Sequence, residues 1–192
     1  MRSAGEATRD RILVAAKAEF SERGLAGARI NRIAAEANAS KERLYAYFPS
    51  KDALFDAVTE RLVVDVSADT VLAGDDLAAY VGRLFDNYVR NPDNARLHDW
   101  LSFNTADVAA DSPQLVAMKA KLNDIRRAQE AGLVDRSWDP GQLLVMLIEI
   151  AKTMAFPNSV ATRLLGGKAR SRAARRAAAV EAARRLTATS RS

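Results

Sequence analysis

The sequence contains no cysteine and one histidine, His98. A chain without cysteine has no disulfide framework, no thiolate ligand and no thiol nucleophile, which fits a reducing cytoplasm. With one imidazole, a metal site would draw nearly every ligand from carboxylates, so no metal and no other cofactor is expected. Asp99 adjoins His98, but neighbours on a helix point about 100° apart and do not form an orienting pair. No catalytic constellation is visible, and the chain is not expected to be an enzyme. Gly166-Gly167-Lys168 has a superficial likeness to a phosphate loop, yet Thr162 stands where its first glycine belongs and Ala169 follows the lysine. No stretch reaches the roughly 18 apolar residues of a membrane span, and residues 1–7 lack the apolar core of a signal peptide. The expectation is a soluble, cytoplasmic protein with no membrane contact. Alternation at period two never persists and no Asn-Gly turn occurs, so strands are not expected.

What is present is helical. Ile12, Ala16 and Phe20 give a first helix its buried stripe, with Thr8 as cap and Gly24 as stop. Leu54, Phe55, Val58, Leu62 and Val66 run along one face of a long helix that starts at Lys51. Leu77, Tyr80, Val81, Leu84, Phe85, Tyr88 and Val89 make the clearest amphipathic face, before Asn91-Pro92 ends it. A helix from about Asp93 carries Leu97, Trp100, Leu101 and Phe103. Ser112-Pro113 and Asp139-Pro140 each place a cap before a proline at the first helical position, the second with Gln142 in capping-box position. Leu143 to Ile148 is an unbroken apolar run, which predicts a helix buried on all sides. After Gly166-Gly167, residues 168–187 read as an Ala- and Arg-rich helix with Ala173, Ala177, Val180 and Ala183 on one side. Its arginines fit a solvated face, a dimer rim or extra phosphate contacts. The fold expected is all-α with about nine helices.

Residues 28–51 organise the rest. Ile30, Ile33, Ala34 and Ala37 recur at helical spacing, and Asn38 tolerates the left-handed backbone of a helix stop. Ser40 can cap a second short helix on which only Leu44 and Phe48 face inward. Lys41, Glu42, Arg43, Tyr45 and Tyr47 are left as long polar and aromatic groups, and at least one tyrosine must point outward. Two short helices and a tight turn of this kind place the second helix in the DNA major groove. Ser50 can cap the helix that begins at Lys51, where a lysine beside free N–H groups makes a phosphate clamp. Arg43 can pair with guanine and Glu42 can accept from cytosine N4; alternatively both pair with neighbours. Arg2, Arg9 and Arg11 contact phosphate or are solvated.

On Ile33-Ala34, Ser40-Lys41, Leu44-Tyr45, Tyr47-Phe48-Pro49 and Ser50-Lys51, preceded by Phe20 and Gly24, residues 8–65 resemble the DNA-binding domain of tetracycline-repressor (TetR-like) regulators. The resemblance implies DNA contacts by Arg29, Asn31, Lys41, Arg43, Tyr45, Tyr47 and Lys51, to which Ser40 and Glu42 are added from the helix start. Arg29, Asn38, Glu42 and Arg43 depart from the family's usual small residues. It further implies a helix-turn-helix domain at 1–50, an effector-binding and dimerisation domain at 51–192, and a homodimer built through the last two helices. Helix 4 joins the two domains as a rod.

Charge agrees. Residues 1–55 carry ten Lys/Arg against seven Asp/Glu, residues 56–165 eleven against sixteen, and residues 166–192 eight against one. Phe85, Tyr88, His98, Trp100, Phe103, Met118, Leu122, Met146, Met154 and Phe156 are either ordinary core or the lining of an apolar effector pocket. His98 is structural, pocket-lining or a ligand contact. The expected function is a regulator, most simply a repressor, that binds a palindromic double-stranded operator and is released by a small apolar or aromatic effector. The alternative is an architectural DNA-binding protein without an effector.

Overall fold

The computed structural model describes residues 4–70, 72, 76–102 and 111–189. Among them are ten α-helices, one 3-10 turn and no strand: α1 (Ala4–Gly27), α2 (Ile30–Glu36), α3 (Lys41–Tyr47), α4 (Lys51–Asp69), α5 (Leu77–Arg90), α6 (Pro92–Ser102), α7 (Pro113–Glu130), α8 (Pro140–Ala155), α9 (Ser159–Leu164) and α10 (Arg172–Thr187). They fall into two compact units, one within residues 1–63 and 92–108, the other within 64–91 and 109–192.

In the first unit α1, α2, α3, the start of α4 and α6 enclose Ile12, Phe20, Ile33, Leu44, Phe48, Leu54 and Phe55. Each such burial is worth about 1.5–3 kcal/mol. The rings of Phe20 and Phe55 meet edge to face, 5.1 Å between centroids. Gly24 interrupts α1 with φ +64°, and the Trp100 ring of α6 lies so near that a Cβ on Gly24 would come within 2.9 Å of it. The Trp100 indole N–H also points to the Ser21 carbonyl at 3.4 Å. Thr8 is not the cap expected of it. The helix already starts at Ala4, and the Thr8 hydroxyl donates to the Ala4 carbonyl at 3.0 Å from inside the first turns.

In the second unit α5 buries Leu77, Tyr80, Val81, Leu84, Phe85 and Tyr88, and packs on α8 and α10. Gly82 permits Arg176 of α10 to lie flat on α5, where its Nε donates to both oxygens of Asp86 at 3.0 and 2.9 Å. Gln129 closes the α7–α8 loop by donating to the carbonyls of Asp135 and Trp138. The Trp138 indole N–H donates to the Leu186 carbonyl at 3.1 Å.

Three expectations need correction here. Leu143, Leu144, Leu147 and Ala151 of α8 are buried, but Val145 is 60% exposed, so the apolar run is covered on one side only within a single chain. The last helix starts at Arg172 rather than 168, because Ser171 caps it through the Ala174 N–H after a 3-10 turn at Gly167–Arg170. Its buried side is Ala179, Ala183 and Thr187, while Ala173 and Ala177 are exposed. Asn158 caps the additional short helix α9.

Candidate nucleic-acid interface

α2 and α3 are held by their ends. Asn38 adopts φ +49°, the left-handed turn between them. Ser40 caps α3 by accepting from the Arg43 N–H at 3.1 Å, and Ser50 caps α4 by accepting from the Ala53 N–H at 3.0 Å. α2 has Arg29 at its cap position and no side-chain cap of its own. Its start is fixed from α1 instead. The buried Glu19 carboxylate accepts the Arg29 N–H at 3.1 Å and pairs with Arg23 and Arg32 at 3.6 and 3.7 Å. Arg11 braces the other end, donating to the Ala37 carbonyl at 3.1 Å.

With Leu44 and Phe48 buried, the outer face of α3 presents Lys41, Glu42, Arg43 and Tyr45, with Tyr47 half-buried. Tyr45 is 39% exposed, and the Lys41 ammonium lies 5.9 Å from its ring centroid, one turn along the helix. Glu42 neither pairs with a neighbouring cation nor forms an ion pair with Arg43 among the described residues. Hydrogen bonds from its own backbone N–H and then from the Ser40 side chain hold its carboxyl below the usual range, so it is an anion at the start of α3. Arg29 and Asn31 are exposed and line an open groove with Ile30 and Arg32, a residue the sequence reading passed over. Lys51 stands at the first position of α4, with Nζ 3.4 Å from the carbonyls of Ala26 and Ala28. Arg9 lies over the Phe48 ring, 5.3 Å from its centroid.

The residues suggested for an effector pocket divide between the units. Phe85 and Tyr88 are buried on α5, Met118 and Leu122 half-buried on α7, Met146 and Met154 half-buried on α8, and Phe156 exposed at the end of α8. His98 is half-buried on α6 of the first unit, and Trp100 packs on α1. Phe103 lies outside the described residues. Glu149 pairs with Lys152 at 2.9 Å. No group of three potential metal ligands occurs among the described residues, and no helix there is long and apolar enough to cross a membrane.

A short capped helix with an outward cationic and aromatic face, set on a second helix and a turn, defines a helix-turn-helix regulator. The comparisons place it further. The profile described as bacterial regulatory proteins, tetR family, matches residues 12–58, and that described as tetracyclin repressor-like, C-terminal domain, matches residues 76–185. The HTH-type transcriptional repressor SCO4008 of Streptomyces coelicolor is 34% identical over 164 residues, 84% of this chain and 85% of its own length. The solved structure of the transcriptional regulator SCO4942 from Streptomyces coelicolor is 40% identical, covers 94% of this chain and 98% of its own, and superposes with a TM-score of 0.81. The structure of FadR from Bacillus subtilis in complex with stearoyl-CoA shares the fold at a TM-score of 0.63 and 15% identity, covering 94% and 98% of the two chains. The chain belongs to the TetR family of bacterial transcriptional regulators.

Proposed function

We propose that the protein is a homodimeric repressor that reads an inverted-repeat operator through α3 and releases it when a small, largely apolar or aromatic molecule enters the second unit. The outward Lys41, Arg43 and Tyr45 surface carries this reading, because a helix that only packs does not need it. Arg43 and Lys41 are assigned to base edges, with Glu42 accepting from a cytosine amino group. Arg29, Asn31, Ser40, Tyr45, Tyr47 and Lys51 are assigned to the backbone of the duplex. SCO4008, a repressor by name, supports the direction of control. FadR, whose structure contains stearoyl-CoA, supports an apolar effector only at the level of the fold.

The half-sites would lie one helical turn or a multiple apart, and an effector acts by preferring the arrangement in which the two copies of α3 no longer match that repeat. α4, continuous from Lys51 to Asp69, is the element assigned to transmit the change. Residues 1–50, with Lys51 at the junction, are assigned to DNA and the remainder of 51–192 to effector and partner. The face of α8 around Val145, together with α10, is assigned to the dimer.

Selection from a random DNA pool at low and physiological salt tests the reading. An inverted repeat that survives the higher salt is expected. Binding that enriches nothing and vanishes as salt rises would instead identify an architectural protein.

A further inference from the structure

Lys121 of α7 is 5% exposed, yet no carboxylate among the described residues pairs with it. Its Nζ donates to the Thr70 carbonyl at 3.1 Å and to the Tyr80 hydroxyl at 3.2 Å, and sits 4.6 Å from the Tyr80 ring centroid. Every partner is neutral. Asp124, one turn on, pairs with Arg127 and acts on Lys121 only at longer range, while Arg83 of α5 adds a second positive charge. A buried cation without a counter-charge is costly, because neutral dipoles replace only part of its hydration.

Two donors are left over. An ammonium has three N–H groups, and two are used. The Tyr80 phenol oxygen accepts from the lysine, so its own O–H remains to donate, and burial, reinforced by Tyr88, raises its pKa and keeps it protonated. One N–H and one O–H from atoms 3.2 Å apart therefore offer a pair of donors to a planar, two-oxygen monoanion. Met118 and Ile125 flank Lys121 by one turn on α7, and Leu84 follows Tyr80 by one turn on α5, so the surroundings of the pair are apolar.

We propose that Lys121 and Tyr80 form the anion-binding end of the effector site, and that the effector is a carboxylic acid with an apolar or aromatic body. This rests on the reading of the second unit as an effector-binding body. A phosphate or polyphosphate, with more charge and more oxygens, fits a single ammonium and a single hydroxyl less well.

The test uses the full-length protein on its selected operator, with decanoic and 1-naphthoic acids set against their primary amides. Release of fluorescent operator and calorimetric binding are read in wild type, Lys121→Met and Lys121→Arg. The acids should bind and release at least ten-fold better than the amides. That ratio should collapse toward one in Lys121→Met and survive in part in Lys121→Arg. Burial, then Arg83, lowers the amine's pKa to about 8, so an arriving carboxylate should draw in a proton at pH 8.5. Calorimetry in two buffers of different ionisation enthalpy should detect that uptake in wild type and not in Lys121→Met. A purely structural lysine would leave the acid-to-amide ratio unchanged by substitution, which overturns the proposal. Amides that release operator as well as acids do overturn it while the regulator reading stands. No response to either series, with operator binding intact, overturns both. Should Lys121→Met fail to fold, the wild-type ratio, its proton uptake and Lys121→Arg decide.

Discussion

Glu19 of α1 accepts the backbone N–H of Arg29 at 3.1 Å, and so serves α2 as a cap that its own sequence does not provide. An acid there also complements the positive end of α2. Glu19→Ala strands a partly buried N–H and leaves Arg23 and Arg32 without their shared carboxylate. It should cost about 1–3 kcal/mol in chemical denaturation and weaken operator binding as well. Glu19→Gln keeps an acceptor for Arg29 and should cost less. Equal losses would mean that charge, rather than the hydrogen bond, fixes α2.

Gly24 combines φ +64° with a ring in the place of a side chain. Gly24→Ala should destabilise by about 1–3 kcal/mol, from backbone strain and from the clash with Trp100 together. In a Trp100→Ala background the clash is gone and the strain remains. The cost of Gly24→Ala should then fall, a coupling that a double-mutant cycle measures directly.

Lys121 makes stability depend on alkaline pH. Burial, with Arg83, lowers its folded pKa to about 8 from an ordinary 10.5, so between these values the unfolded chain holds more protons than the folded one. Stability therefore rises as pH increases from about 8 to 10, by about 1–2 kcal/mol. Tyr80 acts in the other direction above pH 10, since burial raises its pKa and keeps the folded phenol protonated. Denaturant titrations at pH 7.5 and 9.5 should show the rise in wild type and its loss in Lys121→Met. A flat difference between the two proteins would place the Lys121 amine in water.

Val145 is the most exposed residue of an apolar run on α8 in which Leu143, Leu144 and Leu147 are buried and Met146 and Ile148 half-buried. If α8 meets its copy there, Val145→Asp should shift sedimentation toward the monomer and lower operator affinity, with little change in helix content. A wild type that sediments as a monomer at micromolar concentration would overturn the proposed dimer, and an unchanged Val145→Asp dimer would remove this face of α8 from it.

Much of this was legible along the chain. Ser40, Ser50, Ser112 and Asp139 cap the helices that follow them, Asn38 makes the left-handed turn, and Leu44 with Phe48 faces inward, because each depends on residues within four positions. What escaped depends on distant partners. Glu19 reads as a surface charge until the chain brings Arg29 back to it from ten residues on. Lys121 reads as one more solvated lysine, although its partners are 41 and 51 residues earlier. The burial of α8 was overread because an apolar run does not say whether its last face is covered by the same chain. Ala179, rather than Ala177, faces inward on α10 because the packing of that helix on α5 and α8 selects its buried side. Of the candidate DNA face, the outward set was legible on α3, whereas the groove that adds Arg32 to Arg29 and Asn31 needed three-dimensional placement.

The two tryptophans of the chain fall one to each unit, Trp100 against Gly24 and Ser21, Trp138 against the end of α10. The protein thus carries a separate optical probe in each part. Trp138→Phe leaves an indole whose emission reports on the helix-turn-helix unit, and Trp100→Phe leaves one that reports on the other. Stopped-flow fluorescence on the two variants would time the arrival of the proposed effector and any response of the helix-turn-helix unit as two distinct signals, without any attached dye.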